Sequence, residues 1–85
     1  MKVIDDLADS HIDNYYITIG KNVKRIRESR NITQLQLSQA LNHKSVGLVS
    51  QAELYLKKQH FNIQHLVYIA YILECDINEF FIQEK

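Results

Sequence analysis

Ile32-Thr33-Gln34-Leu35-Gln36-Leu37-Ser38-Gln39-Ala40-Leu41 leads into Asn42-His43-Lys44-Ser45 and then into Val46-Gly47-Leu48-Val49-Ser50-Gln51-Ala52-Glu53. The stretch reads as two short helices joined by a tight polar turn. Thr33 has the hydroxyl of a good N-cap, and Gln36, three residues on, completes a capping box. Leu37, Ala40 and Leu41 share one helix face. Asn42 and Ser45 bracket the turn, and Ser45 can cap the second helix. In that helix Val49 and Ala52 fall on one side and Ser50 and Gln51 elsewhere. A helix with a thin buried stripe and short polar side chains outside it suits insertion into a DNA major groove.

Working outward, residues 20–30 predict a preceding helix with Ile19, Val23 and Ile26 as its apolar stripe, and Asn31 as a left-handed cap. Downstream, Asn62 can cap a helix carrying Ile63, Leu66, Val67, Ile69, Ala70 and Leu73. Asp76, with Glu79 three residues on, predicts a final helix with Ile77, Phe80 and Phe81 on its apolar face. Residues 53–62 join the motif to the fourth helix; Leu54 and Leu56 are able to prolong the recognition helix by a turn. Phe61 reads as core. Residues 1–18 form an acidic N-terminal segment in which Ile4, Ala8, Ile12 and Tyr15 or Tyr16 recur near helical spacing. An extra amphipathic helix and a frayed arm both remain open for it; five large apolar residues including Ile19 favour packing.

The chain has 85 residues, enough for one domain with one modest core. It holds no proline and only two glycines, so an all-α chain is the default. A lone Cys75 excludes an internal disulfide, and His11, His43, His60 and His65 are scattered, so no metal or other cofactor is expected. There is no nucleophile-base constellation and no glycine-rich phosphate loop, which argues against an enzyme. No apolar run nears the roughly 20 residues of a membrane span and no signal peptide is visible, so a cytoplasmic protein with no membrane partner is expected.

The net charge is zero, but it is segregated. Residues 1–20 carry Lys2 against Asp5, Asp6, Asp9 and Asp13, a net of −3. Residues 21–58 carry Lys21, Lys24, Arg25, Arg27, Arg30, Lys44, Lys57 and Lys58 against Glu28 and Glu53, a net of +6. Residues 59–85 return to −3, with Lys85 against Glu74, Asp76, Glu79 and Glu84. Cations confined to the segment with the two-helix motif suit a polyanion on one face.

Thr33-Gln34-x-x-Leu37-Ser38-x-x-Leu41, a turn, then Val49-Ser50-x-x-Glu53 resembles the helix-turn-helix of the lambda-repressor-like regulators of the Cro and XRE type. The likeness extends over residues 19–81. It implies a compact five-helix domain over residues 19–85, and a transcriptional regulator, a repressor or autoregulator, that binds double-stranded DNA as a homodimer on a two-fold operator. It implies that Arg27 pairs with Glu53, tying the first helix to the recognition helix, and that Gln34 contacts a phosphate while buttressing that helix. It places a dimer interface on the last helices, where Tyr71, Phe80 and Phe81 are the candidates. The turn is one residue longer than the common pattern, and Ser38 stands where alanine is usual.

With Val49 in the core, the base-facing positions are Ser45, Val46, Gly47, Ser50 and Gln51. Gln51 can pair with the N6 and N7 edge of adenine. Gly47 marks either a close backbone approach or a helix that starts after it. Lys44, Lys57 and Lys58 join Gln34 as phosphate contacts, with Tyr55, Gln59 and His60 suited to the same flank. The acidic N-terminal segment and the surplus apolar residues support a second reading, a protein-interaction module such as an antitoxin or adaptor with a protein partner.

Overall fold

The computed structural model describes residues 1–42 and 46–83. Among the described residues, a 3-10 turn at Ile4–Asp6 leads into α1 (Asp9–Ser29), α2 (Gln34–Ala40) and α3 (Gly47–Leu54), a second at Leu56–Lys58 separates α3 from α4 (Ile63–Leu73), and a third, Ile77–Phe81, ends the fold. Among the described residues there is no strand.

α1 differs from the expected helix at its start. It begins at Asp9, not Gly20, and runs without interruption across residues 18 and 19. Nothing between Asp9 and Ile19 stops a helix: there is no proline or glycine, and Asp9 lies in the first turn, where a carboxylate suits the helix dipole. Its C-terminal half buries Ile19, Val23 and Ile26. Ile12, two turns before Ile19, stays exposed, as do Ile4 and Leu7 in the preceding 3-10 turn and its exit. α1 ends as the sequence predicts: Asn31 takes a φ of 57° and the Ile32 N–H donates to Arg27 O at 3.1 Å, the six-to-one bond of a Schellman cap. Ile32 then packs on the core.

The Thr33 capping box is formed in both directions. The Gln36 N–H donates to Thr33 Oγ1 at 3.0 Å and the Thr33 N–H to Gln36 Oε1 at 2.8 Å. At the start of α4 the Asn62 side chain accepts from the His65 N–H at 2.7 Å, while His65 Nδ1 accepts from the Asn62 N–H at 3.1 Å. That second bond requires Nδ1 without its proton. α4 ends on Glu74, again left-handed at φ 57°, with the Cys75 N–H on Ala70 O at 3.0 Å.

The expected fifth helix is a 3-10 turn, Ile77–Phe81. Asp76 caps it, but through the Asn78 N–H at 2.8 Å and not through the N–H of Glu79. An α-helix this short gains too few bonds to offset its nucleation. What holds the segment is Asn22 of α1, buried, whose Nδ2 donates to Phe80 O at 2.9 Å and to Ile82 O at 2.7 Å. Phe80 is thereby driven into the core at 0 % exposure, beside Leu37, Val49, Leu66, Ile69 and Leu73. Phe80 therefore cannot serve as a subunit-facing residue. Phe61 is also core.

Candidate nucleic-acid interface

α2 and α3 are placed by one buried carboxylate. Glu53 Oε2 accepts from Arg27 Nε at 2.7 Å, and Oε1 accepts from Arg27 Nη2 at 3.0 Å and from Gln34 Nε2 at 3.0 Å. Arg27 Nη1 donates onward to Ile32 O at 2.7 Å. The side chains of Arg27 and Glu53 are 7 % and 0 % exposed. The fork of the guanidinium matches both carboxylate oxygens, the strongest form of this pair. Its hydrogen bond to Glu53 raises the Arg27 pKa further, against the opposite pull of burial. One ion pair and one amide thus bind α1, the start of α2 and the end of α3 together. Gln34 buttresses α3 in this way while staying half-buried.

Against this lock, α3 buries Val49 and Ala52 and keeps Gly47, Leu48, Ser50 and Gln51 half-exposed, as is Val46 just before it. Gly47 is the first residue of the helix, so the helix does not start after it. A close backbone approach is formed at Gly20 of α1, where an added Cβ would meet Ala52 O and Glu53 O. Ser50 Oγ donates to Gly47 O at 3.1 Å, which turns that hydroxyl toward its own helix. Lys44 and Ser45 lie outside the described residues.

α3 does not continue through Leu56. Tyr55 is left-handed at φ 53° and ends it, and Lys57 and Lys58 follow at φ 52° and 61°. Both lysines are exposed. The Tyr55 hydroxyl donates to Asp13 Oδ1 at 2.7 Å, which is the first cause that pushes its phenol up to about 12. Tyr16 stacks on Tyr55 and on His60, with ring centroids 5.8 and 3.9 Å apart. Tyr55 and His60 are thus held by the N-terminal half of α1.

Arg27 and Arg30 have structural duties. Arg27 is matched by Glu53, and Arg30 Nε donates to Leu73 O at 3.1 Å, on the C-terminal end of α4. Lys21, Arg25, Lys57 and Lys58 remain exposed, with Lys24 half-buried.

On the α2–α4 side, Ala40, Leu41, Val67, Tyr68, Tyr71 and Ile72 line an open groove of about 510 Å³. Tyr71 is 86 % exposed there, and Phe81 is exposed at the C-terminal end. Cys75 packs partly against the core, and burial, with Glu79 next, pushes its thiol up, away from a reactive thiolate. Among the described residues no three His, Cys, Asp or Glu side chains gather to hold a metal ion, and no helix is long and apolar enough to cross a membrane.

No family model, no curated protein and no solved structure matches the chain. Sequence reasoning missed Asn22, Gly20 and the Asp13–Tyr55 contact. Gly20 had a signal, a lone glycine in a helical pattern. Asn22 and Asp13 had none, because their partners lie far along the chain.

Proposed function

We propose that the chain is a sequence-specific DNA-binding regulator with the lambda-repressor-like arrangement, in which α3 enters the major groove. The observation that carries this reading is the Arg27–Glu53–Gln34 lock. It spends a buried ion pair on fixing the mutual angle of α1, α2 and α3, and it leaves Gly47, Ser50 and Gln51 on the outer side of a short helix. Major-groove readout needs a rigidly held helix with short polar side chains at its start. The exposed Lys57 and Lys58 at its far end suit flanking phosphates.

The regulator acts as a homodimer on a two-fold site with half-sites roughly 34 Å apart. Tyr71 and Phe81 supply its subunit contact. Bound at a promoter, it blocks or recruits RNA polymerase. A second reading, an interaction module of the antitoxin or adaptor kind, is favoured by the exposed Leu54, Leu56, Val67 and Tyr71.

Selection from a random double-stranded DNA library at near-physiological salt tests the choice. An enriched inverted repeat is the expected result. A folded protein that enriches no sequence overturns the regulator and leaves the interaction module.

A further inference from the structure

Where α1 passes the end of α3, two donors converge on one carboxylate oxygen. The Tyr55 hydroxyl reaches Asp13 Oδ1 at 2.7 Å, and Lys58 Nζ lies 4.0 Å from the same atom. The Lys58 side chain is 74 % exposed and that of Asp13 29 %, so this edge is open to solvent. A phenol and an ammonium aimed at one anionic oxygen are the donor set that a phosphodiester oxygen takes. The backbone that brings them there is strained: Tyr55, Lys57 and Lys58 are all left-handed without being glycine. Such outliers gather at functional sites. Tyr16, stacked between Tyr55 and His60, fixes the side of α1 that carries Asp13.

We propose that Asp13 is an internal stand-in for a DNA phosphate: in the free protein its carboxylate occupies the Tyr55–Lys58 donor pair, and double-stranded DNA displaces it with a backbone phosphate. The inference rests on the DNA-binding reading and adds regulation to it. Asp13 lowers the affinity for every duplex alike, because it competes for a phosphate contact and not for a base. Weak duplexes are thereby rejected without any change in the groove-facing residues of α3.

The test measures binding of a labelled duplex of random sequence between about 50 and 200 mM salt. Asp13→Asn and Asp13→Ala are compared with Asp9→Asn, an equal change of charge one turn away that touches neither donor. Both Asp13 variants should tighten binding by up to about eightfold at 0.1 M salt, the worth of one phosphate contact, with the salt slope little changed, because the wild-type complex makes the same contact once Asp13 is displaced. The gain should vanish when Tyr55→Phe and Lys58→Gln are added. Titration of the tyrosines reports the contact without DNA, since the Tyr55 phenol should fall back from about 12 toward its ordinary value when Asp13 is replaced. A wild type that binds while the Asp13 variants bind no better overturns the inference alone. So does an equal gain from Asp9→Asn, or a gain that survives loss of both donors, since each means general repulsion. If no variant binds any duplex at low salt, the DNA-binding reading falls and the inference falls with it.

Discussion

Gly20 of α1 lies so close to Ala52 of α3 that a Cβ on it would sit 2.6 Å from the Ala52 carbonyl oxygen and 2.7 Å from that of Glu53. Both obstacles are backbone, so neither can swing aside. Gly20→Ala gains up to about 1 kcal/mol in helix propensity. Forcing the two helices apart costs more, typically about 1–3 kcal/mol, and it strains the Arg27–Glu53 pair a few residues away. A net loss of about 1–2 kcal/mol is expected, which lowers the melting temperature by roughly 4–16 °C. Thermal unfolding followed by circular dichroism measures it. A rise in melting temperature would mean that α1 and α3 do not cross this tightly.

The Arg27–Glu53 pair should be expensive to break and cheaper to replace. Glu53→Leu or Arg27→Met alone leaves a buried partner uncompensated, a loss of about 3–5 kcal/mol. That is a large part of the roughly 5–15 kcal/mol available to a small domain. The double replacement Arg27→Met with Glu53→Leu removes both charges and should recover most of the loss. Full recovery is not expected, because Ile32 O and Gln34 Nε2 also lose partners. Urea unfolding of the four proteins forms the cycle. Two single losses that simply add in the double variant would show that the pair is not coupled.

The short helix α2 and the end of α1 were legible because their signals are local. Thr33 and Gln36 cap at a spacing of three, Leu37 and Leu41 share a face, and Asn31 ends α1 where its residue type tolerates a left-handed backbone. Asn62 and Phe61 were read from the same kind of signal. The last segment was misread because its conformation is decided across the fold. Asp76 and Glu79 have the spacing of a capping box, but Asn22, far away in α1, takes Phe80 O and Ile82 O and draws Phe80 inward. Apolar periodicity alone could not tell Phe80, which is core, from Phe81, which is exposed. The same limit hid the N-terminal reach of α1. Its apolar residues suggested a separate element, while the uninterrupted helix is set by the absence of any breaker before Gly20. On α3 the buried face followed from Val49, but the Asp13–Tyr55 bond joins residues 42 apart and left no trace in the pattern.

Tyr55 makes stability depend on alkaline pH. Its folded pKa, about 12, stands above the ordinary phenol value of 10.0, so the bond to Asp13 stabilises the protonated form. The contribution is complete below pH 10.0 and is lost as the pH rises from there through about 12. Spectroscopic titration of the five tyrosines, wild type minus Tyr55→Phe, should therefore isolate one phenol that ionises about two units late. A difference curve centred near the ordinary value would mean that Tyr55 does not hold Asp13 in solution.

Glu74 closes α4 in a left-handed conformation, φ 57° and ψ 52°. A non-glycine residue there costs on the order of 1–2 kcal/mol, of which glycine recovers the steric part and returns some as chain entropy. Its side chain is exposed, so little packing is at stake. Glu74→Gly should stabilise the fold by about 0.5–1 kcal/mol. Asn31 has the same geometry but already carries a residue type that tolerates it, so Asn31→Gly should gain less. Equal gains at both sites, or a loss at Glu74, would contradict the cap geometry.

Gln51 separates base readout from phosphate attraction. It is half-exposed on α3, two residues past Val49, and of the side chains on the proposed groove face it is the one best able to make a bidentate contact, with adenine as its partner. Gln51→Ala should weaken binding to the selected operator by about 1–3 kcal/mol and leave binding to random duplex unchanged. The salt slope should not move, because an amide releases no counterion from a phosphate. Lys57→Ala should do the reverse, weakening both duplexes alike and flattening the slope by about one. Competition titrations of both variants on both duplexes read the two effects side by side. Equal losses on operator and random duplex for Gln51→Ala would remove it from the groove and shift specificity to the shape of the DNA.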